Sequence, residues 1–177
     1  MRFSHLVLAP VLSLAATPCL AMDLQSTDVM RGASFPVSEI CSRYGGRDIS
    51  PALTWSDVPA QARSLAVTIF DPDAHGGWWH WLVLDVPTSA TALPQGAGGR
   101  HEDLPAGARQ HGNSDGNERY DGPCPPAGSG VHHYEITLWA LDVPQADVDV
   151  NAEPGEVGGY LAKHAIAKAQ LTPVYQK

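Results

Sequence analysis

Residues 63–86, RSLAVTIFDPDAHGGWWHWLVLDV, decide the fold of this 177-residue chain. Two apolar runs rich in β-branched residues flank a polar turn, and successive side chains of a strand point to opposite faces. Both faces of the first run are apolar, which is typical of a central strand that is covered on both sides. The faces consist of Leu65, Val67 and Ile69 and of Ala66, Thr68 and Phe70.

A second stretch, YDGPCPPAGSGVHHYEITLWALD at residues 120–142, ends in the longest alternating run, residues 131–142. Together the runs predict a mainly β fold with two layers and a largely antiparallel sheet. One C-terminal helix is predicted over residues 155–170, with few short helices elsewhere, and Pro173 would end it. Its apolar stripe consists of Val157, Tyr160, Leu161, Ala165 and Ala169.

Residues 1–21 have the pattern of a secretory signal peptide. Arg2 precedes a short apolar run, and small residues lead to Ala21. The apolar run is too short to span a bilayer. We therefore expect residues 22–177 to form a single domain in the periplasm or outside the cell, with no integral membrane segment.

The chain is acidic, with a formal net charge of −8. Removal of Arg2 with the signal peptide leaves ten basic and 19 acidic residues, a charge of −9. Such a surface repels nucleic acid and anionic membranes at long range, so a nucleic-acid partner is not expected. Any anionic ligand needs a local, structured site.

Two cysteines, Cys41 and Cys124, remain after signal removal. In an oxidising compartment such a pair usually forms a disulfide, and two buried free thiols are the alternative. Neither cysteine has another one nearby, so the spacing of a zinc or redox motif is absent.

Polar residues collect at the ends of the predicted strands. Asp71 and Asp73 would point the same way if the strand continued past Pro72, whereas a turn capped by the same carboxylates is the alternative. His80 lies among Trp78, Trp79 and Trp81. A histidine in an apolar wall is typical of a ligand pocket, although a core histidine is the simpler interpretation.

The second stretch supplies complementary groups. His132 and Tyr134 share one strand face, and a rigid glycine- and proline-rich loop precedes them. Free backbone N–H groups near Gly122 or Gly128 could bind an oxyanion. We expect residues 88–130 to fold over the pocket mouth, so that both stretches form one small polar pocket.

Three blocks make the sequence resemble a known family. They are D-P-D-A at 71–74, W-x-H-W at 78–81 and Y-x-G-P-x-P-P-x-G-x-x-x-H-x-Y at 120–134. In this order they resemble the phosphatidylethanolamine-binding protein (PEBP) family, in particular its bacterial Raf kinase inhibitor-like branch. His75 stands where family members usually have proline, so ligand preference is expected to differ.

The resemblance implies a two-sheet β fold with a pocket for phosphate-like groups. Its ligand-binding residues would be Asp71, Asp73, His80 and His132, with Tyr134, Trp78 and Gly122 lining the pocket. We therefore expect a non-catalytic binding protein for phosphate or a phosphoethanolamine-like headgroup, with no cofactor. The resemblance also implies that it could modulate a partner protein such as a kinase or protease.

Two enzymatic alternatives stay open. Ser114 lies in a G-x-S-x-G match at residues 112–116, but a nucleophile elbow needs a strand before it and a helix after it. Cys124 is the other candidate nucleophile. A metal-dependent enzyme would use His75, His80 and His132 as ligands, without a paired ligand signature to support it.

Overall fold

The computed structural model describes residues 21–99 and 103–177. Nearly all of the predicted signal peptide, residues 1–20, lies outside these ranges, so that prediction is not addressed by the structure. Within the described ranges, no helix combines the length and the hydropathy needed to cross a membrane.

The described residues form a mainly β, largely antiparallel fold, as predicted. A five-stranded sheet has the order β6-β4-β3-β8-β9, a second sheet has the order β1-β2-β5, and β7 pairs with β10. One helix, α1, spans Pro154–His164, and a 3-10 turn spans Ser42–Tyr44. The strands are β1 (Asp23–Gln25), β2 (Leu53–Ser56), β3 (Ser64–Asp71), β4 (Trp78–Val86), β5 (Ala92–Leu93), β6 (Arg109–Gln110), β7 (His132–His133), β8 (Glu135–Leu141), β9 (Ala165–Leu171) and β10 (Val174–Tyr175).

Strand β3 is covered on both faces, as its sequence predicts. Leu65, Val67 and Ile69 are fully buried in the larger core, which includes residues of β1 and β2. Ala66 lies in a smaller core with residues of β4 and α1. A Cβ at Gly158 would lie 2.4 Å from the Trp79 ring, so glycine allows α1 to approach β4 closely.

The helix prediction was correct at its start and wrong at its end. Residues 165–170, predicted as helix, belong to β9, which pairs antiparallel with β8 from Ile136↔Leu171 to Leu141↔Ala165. Burial alternates along the second half of β9, where Ala169 and Leu171 are buried and Gln170 is half-buried. Pairing with the outer edge of β8 overrides the helix propensity of the alanines.

The predicted strand over residues 131–142 is interrupted at Tyr134. β7 before it pairs with β10, whereas β8 after it pairs with β3. The Tyr134 N–H donates to the Pro173 carbonyl at 2.9 Å. The interruption leaves His132 and Tyr134 beside the end of β3, where Asp71 lies.

A disulfide joins Cys41 to Cys124, with their Cα atoms 5.4 Å apart. It ties the 3-10 turn to the proline-rich loop before β7. The Cys41 N–H also donates to the Pro123 carbonyl at 3.1 Å, so the two segments are held by a covalent bond and a hydrogen bond.

Reduction of this disulfide is expected to lower the free energy of unfolding. The cysteines are 83 residues apart, and closing a loop of this length stabilises the fold by about 4–5 kcal/mol in the chain-entropy model. Urea unfolding with and without reductant measures the difference, and a Cys41→Ser/Cys124→Ser double variant should not respond to reductant. An unchanged wild-type midpoint after complete reduction would contradict the expectation.

Glu39 is a buried acid close to the larger core, with no exposed surface. Burial, and then the nearby Asp28 carboxylate, raise its pKa from 4.5 to about 7, although a hydrogen bond from Gln95 acts against them. Its Oε2 has no hydrogen-bond partner within the described residues. Deprotonation therefore leaves an anion in a poorly solvated position.

Stability is expected to fall as pH rises through this range. Because the folded protein holds the Glu39 proton more tightly, its contribution is complete below about pH 4.5 and is lost as pH passes about 7. The loss is up to about 3 kcal/mol. Glu39→Gln should remove this part of the pH dependence of unfolding, whereas Glu153→Gln at an exposed position should keep it. If the free energy of unfolding changes with pH in the same way for wild type and Glu39→Gln, the prediction is refuted.

Candidate functional site

A pocket of about 760 Å³ opens beside the ends of β3, β4 and β7. All seven residues predicted for the ligand site line this pocket, together with both cysteines of the disulfide. The seven are Asp71, Asp73, Trp78, His80, Gly122, His132 and Tyr134. The structure therefore brings the two separate sequence stretches to one place.

Asp71 has two roles that the sequence presented as alternatives. Its Oδ1 accepts the N–H groups of Asp73 at 2.9 Å and Ala74 at 3.2 Å, which caps a turn. Its Oδ2 contacts His132 Nδ1 at 2.7 Å. Of the two alternatives for residues 71–74, the structure has the capped turn, because β3 ends at Asp71 and the turn follows.

His132 is held at both ring nitrogens. The side chains of His132 and Asp71 are only 5% and 4% exposed. His132 Nε2 lies 2.9 Å from Ser129 Oγ, which lies 2.8 Å from the Pro126 carbonyl oxygen. A carboxylate only accepts, so His132 donates its Nδ1 proton to Asp71. Its Nε2 is left to exchange a hydrogen bond with the Ser129 hydroxyl, which also contacts the Pro126 carbonyl.

His80 offers a hydrogen-bond acceptor, not a donor, at its second ring nitrogen. Its Nδ1 lies 2.8 Å from the Asp121 carbonyl oxygen, so Nδ1 carries a proton. Burial lowers the pKa of the imidazole, although the backbone contact and the Asp71, Asp121 and Asp115 carboxylates raise it. Neutral His80 thus keeps an unprotonated Nε2.

Tyr134 lies between the histidines and the larger core. Its ring packs edge-on against His80, with 5.2 Å between ring centroids. Burial, followed by the Asp71 carboxylate, raises the pKa of the phenol well above its usual range, so the hydroxyl keeps its proton. The hydroxyl is buried and has no hydrogen-bond partner within the described residues. A buried polar group without a partner is costly, and a ligand in the pocket can satisfy it.

Asp73 and Trp78 lie at the rim. Asp73 Oδ2 accepts from the N–H and from Nδ1 of His133, each at 2.8 Å. The hydrogen bond from the His133 side chain is the largest cause that lowers the Asp73 pKa. Asp73 is thus tied to a histidine outside the pocket lining. Trp78 is 36% exposed, and the exposed His75 also lies at this rim.

The expected free N–H groups of the glycine-rich loop are occupied. Gly122 N–H donates to Asp48 Oδ1 at 2.9 Å, and Gly128 N–H donates to the Lys177 carbonyl at 3.3 Å. Glycine is needed at 122 because a Cβ there would lie 2.3 Å from the Glu39 carbonyl oxygen. Gly122 shapes the wall by close backbone packing, not by binding an anion through its amide.

Residues 115–129, part of the segment that was expected to fold over the pocket mouth, supply one wall of the pocket. Burial raises the pKa of the Asp121 carboxyl, but hydrogen bonds from Asn117, Asn113 and Arg119 outweigh burial and leave it lowered. The Asp121 N–H also donates to the His80 carbonyl at 3.1 Å. This wall therefore fixes both the position and the tautomer of His80.

Acidic groups outnumber guanidinium groups around the pocket. Two arginines, Arg43 and Arg119, line it, and Arg119 Nε already pairs with Asp121 Oδ1 at 3.0 Å. The carboxylates belong to Asp48, Asp71, Asp73, Asp115 and Asp121. The pocket thus combines the His132 imidazole and the Tyr134 phenol with a wall rich in acceptors.

Ser114 does not have the setting of a catalytic serine. Its Oγ accepts the Trp79 N–H at 2.9 Å, and its own N–H donates to the Trp79 carbonyl. The residue lies in a turn and does not line the pocket. Cys124 is in the disulfide and carries no thiol. Within residues 21–99 and 103–177, no three His, Cys, Asp or Glu side chains are arranged to hold a metal ion.

Sequence reasoning missed Ser129 and Asp121. Ser129 touches His132 Nε2, and Asp121 orients His80 through its main chain. The available signal for Ser129 was its position between two glycines, three residues before His132. No sequence signal indicates a main-chain contact such as that of Asp121.

Comparison with known proteins gives the family. The model of the phosphatidylethanolamine-binding protein family matches residues 25–176. The chain is 42% identical to YbcL of Escherichia coli over 161 residues, 88% of each protein. It is 39% identical to E. coli YbhB over 158 residues, 87% of this chain and 99% of YbhB.

A further relative is the putative lipoprotein LppC of Mycobacterium tuberculosis, which is 39% identical over 159 residues, 88% of this chain and 71% of LppC. The crystal structure of YbcL, described as a new member of the mammalian PEBP family, superposes with a TM-score of 0.84 at 40% identity. That superposition covers 89% of this chain and 99% of YbcL.

The largely antiparallel β fold is the architecture that YbcL shares with the chain. The chain belongs to the phosphatidylethanolamine-binding protein family.

Proposed function

We propose that the protein binds a small phosphate-like or phosphoethanolamine-like group in the pocket without transforming it. The observation that carries the proposal is the His132 imidazole, whose Nδ1 is held by Asp71 and whose Nε2 lies beside the Ser129 hydroxyl at the pocket. In the proposal His132 carries a proton on both nitrogens, so that Nε2–H is the donor to the anion. The protonated Tyr134 hydroxyl, which has no partner within the described residues, supplies a second donor. Charge-assisted hydrogen bonds of this kind favour a compact anion over water.

The acidic part of the wall supports a zwitterionic ligand. Asp115 and Asp121 line the same pocket as the two donors, and a carboxylate can accept from the ammonium of an ethanolamine headgroup. An isolated anion would face these carboxylates across the pocket, whereas a zwitterion carries a positive group that pairs with them. The proposal is therefore strongest for phosphoethanolamine-like groups.

A hydrolytic role through Ser129, His132 and Asp71 is the competing function, since the three residues are in hydrogen-bond contact. A nucleophilic serine must give its proton to the imidazole. Here the Ser129 hydroxyl also contacts the Pro126 carbonyl, to which it can only donate. In the proposed function His132 carries both protons and has no free nitrogen to accept another. The contact therefore favours binding over catalysis.

A periplasmic or secreted location is part of the proposal. The disulfide supports it, since such bonds persist in oxidising compartments, and LppC is named a lipoprotein. Modulation of a partner protein remains part of the same proposal, with the pocket as the surface that would receive an anionic group of the partner.

Calorimetric titration with phosphoethanolamine is the test. His132→Ala should weaken binding by at least about tenfold, because one charge-assisted hydrogen bond is lost. His164→Ala, at the end of α1 and outside the pocket, should bind as wild type does. Circular dichroism checks that each variant is folded.

Equal heats from wild type and folded His132→Ala would reject the pocket as the binding site. Phosphorus NMR of the recovered ligand should show only phosphoethanolamine, and a new phosphorus signal would reject the non-catalytic role.

A further inference from the structure

The two pocket histidines offer opposite hydrogen-bonding groups to a ligand. In the proposed function His132 donates its Nδ1 proton to Asp71 and presents Nε2–H, which lies beside Ser129, to a ligand oxygen. His80 donates from Nδ1 to the Asp121 carbonyl at 2.8 Å, which leaves Nε2 as a lone pair. That lone pair can only accept a hydrogen bond.

The acceptor of His80 is available to a ligand. His80 is 5% exposed and lines the pocket, and its Nε2 makes no hydrogen bond to the described residues. Burial is the largest influence on its pKa and acts against protonation, even though three aspartates surround it. At neutral pH a ligand atom that reaches Nε2 therefore meets an acceptor.

The wall around His80 also favours a ligand that carries a hydrogen-bond donor. Asp115 and Asp121 line the pocket with His80 and present further lone pairs. An oxyanion without a proton has only lone pairs to present to these acceptors. It would repel the carboxylates and leave His80 Nε2 without a hydrogen bond. An oxyanion that keeps one proton can donate it to Nε2 while its other oxygens accept from His132 and Tyr134. A ligand that leaves a buried polar group unpaired is rejected more strongly than a ligand that differs only in size.

We propose that His80 is a specificity-determining residue that accepts a hydrogen bond from the O–H of the bound anion. The pocket thereby selects inorganic phosphate, which keeps at least one proton at neutral pH, and singly protonated phosphomonoesters over sulfate, which keeps none. The proposal rests on the proposed function, because the anion must bind at His132 in the same pocket. An ammonium group on the ligand could donate to the same nitrogen, so the shared requirement is a phosphate group with a hydrogen donor.

Titration of the wild-type protein at about pH 7, where inorganic phosphate still carries a proton and sulfate does not, separates these cases. Inorganic phosphate should bind about 10- to 100-fold more tightly than sulfate, the effect of one buried acceptor left unpaired. Glycerophosphoethanolamine, a diester with an ammonium but no P–OH, identifies the donor. Affinity as weak as that of sulfate assigns the donor to P–OH, and affinity similar to that of phosphate assigns it to the ammonium.

A matched pair of variants tests the role of His80 itself. His80→Gln replaces the lone pair with a side chain that can also donate, so the phosphate-to-sulfate affinity ratio should fall towards one. His164→Gln, the same change outside the pocket, should keep the wild-type ratio. If His80→Gln does not fold, the wild-type ratio alone decides. Equal wild-type affinities for phosphate and sulfate would overturn the selection and leave the proposed function standing, whereas binding of neither anion would overturn both.

Discussion

The contact between Asp71 and His132 is the interaction on which the rest of the site depends. Both side chains are nearly inaccessible to solvent, and burying polar or charged groups is costly unless they are hydrogen-bonded. The structure satisfies that condition, because Asp71 also accepts two turn amides and His132 also contacts Ser129. A pair held this completely presents one imidazole N–H in a fixed direction, which is what recognition of a compact anion requires.

The surrounding fold fixes the positions of both residues of this contact. β3 is central to the five-stranded sheet and is buried on both faces, so its end, where Asp71 lies, has a well-defined position. β7 belongs to a different pairing with β10, and the break at Tyr134 brings it alongside. The disulfide and the hydrogen bonds of Asp121 hold the two remaining walls. Rigid elements therefore supply the binding groups, and the irregular segments between them fix their orientation.

A continuous apolar run rich in β-branched residues was sufficient to predict the central strand β3, because a strand covered on both faces is apolar at nearly every position from Leu65 to Ile69. The apolar pattern was insufficient for residues 165–170. Small residues there fit a helix face and an edge strand equally well, and pairing with β8 decides between the two. The convergence of Asp71 and His132, 61 positions apart, could be expected only from the resemblance of whole motifs to a family. The direction of each proton at His80, His132 and Ser129 depends on carbonyl groups of Asp121 and Pro126, and main-chain contacts leave no residue-type signal in a sequence.

Nitrogen NMR of the histidine side chains in the ligand-free protein at neutral pH tests the central claim most directly, with His132→Ala used to assign the signals. The account predicts that both nitrogens of His132 are protonated and that its Nδ1 proton exchanges slowly with water, because it is buried against Asp71. A neutral His132 with one unprotonated nitrogen, or an Nδ1 proton that exchanges as fast as that of exposed His75, would contradict it.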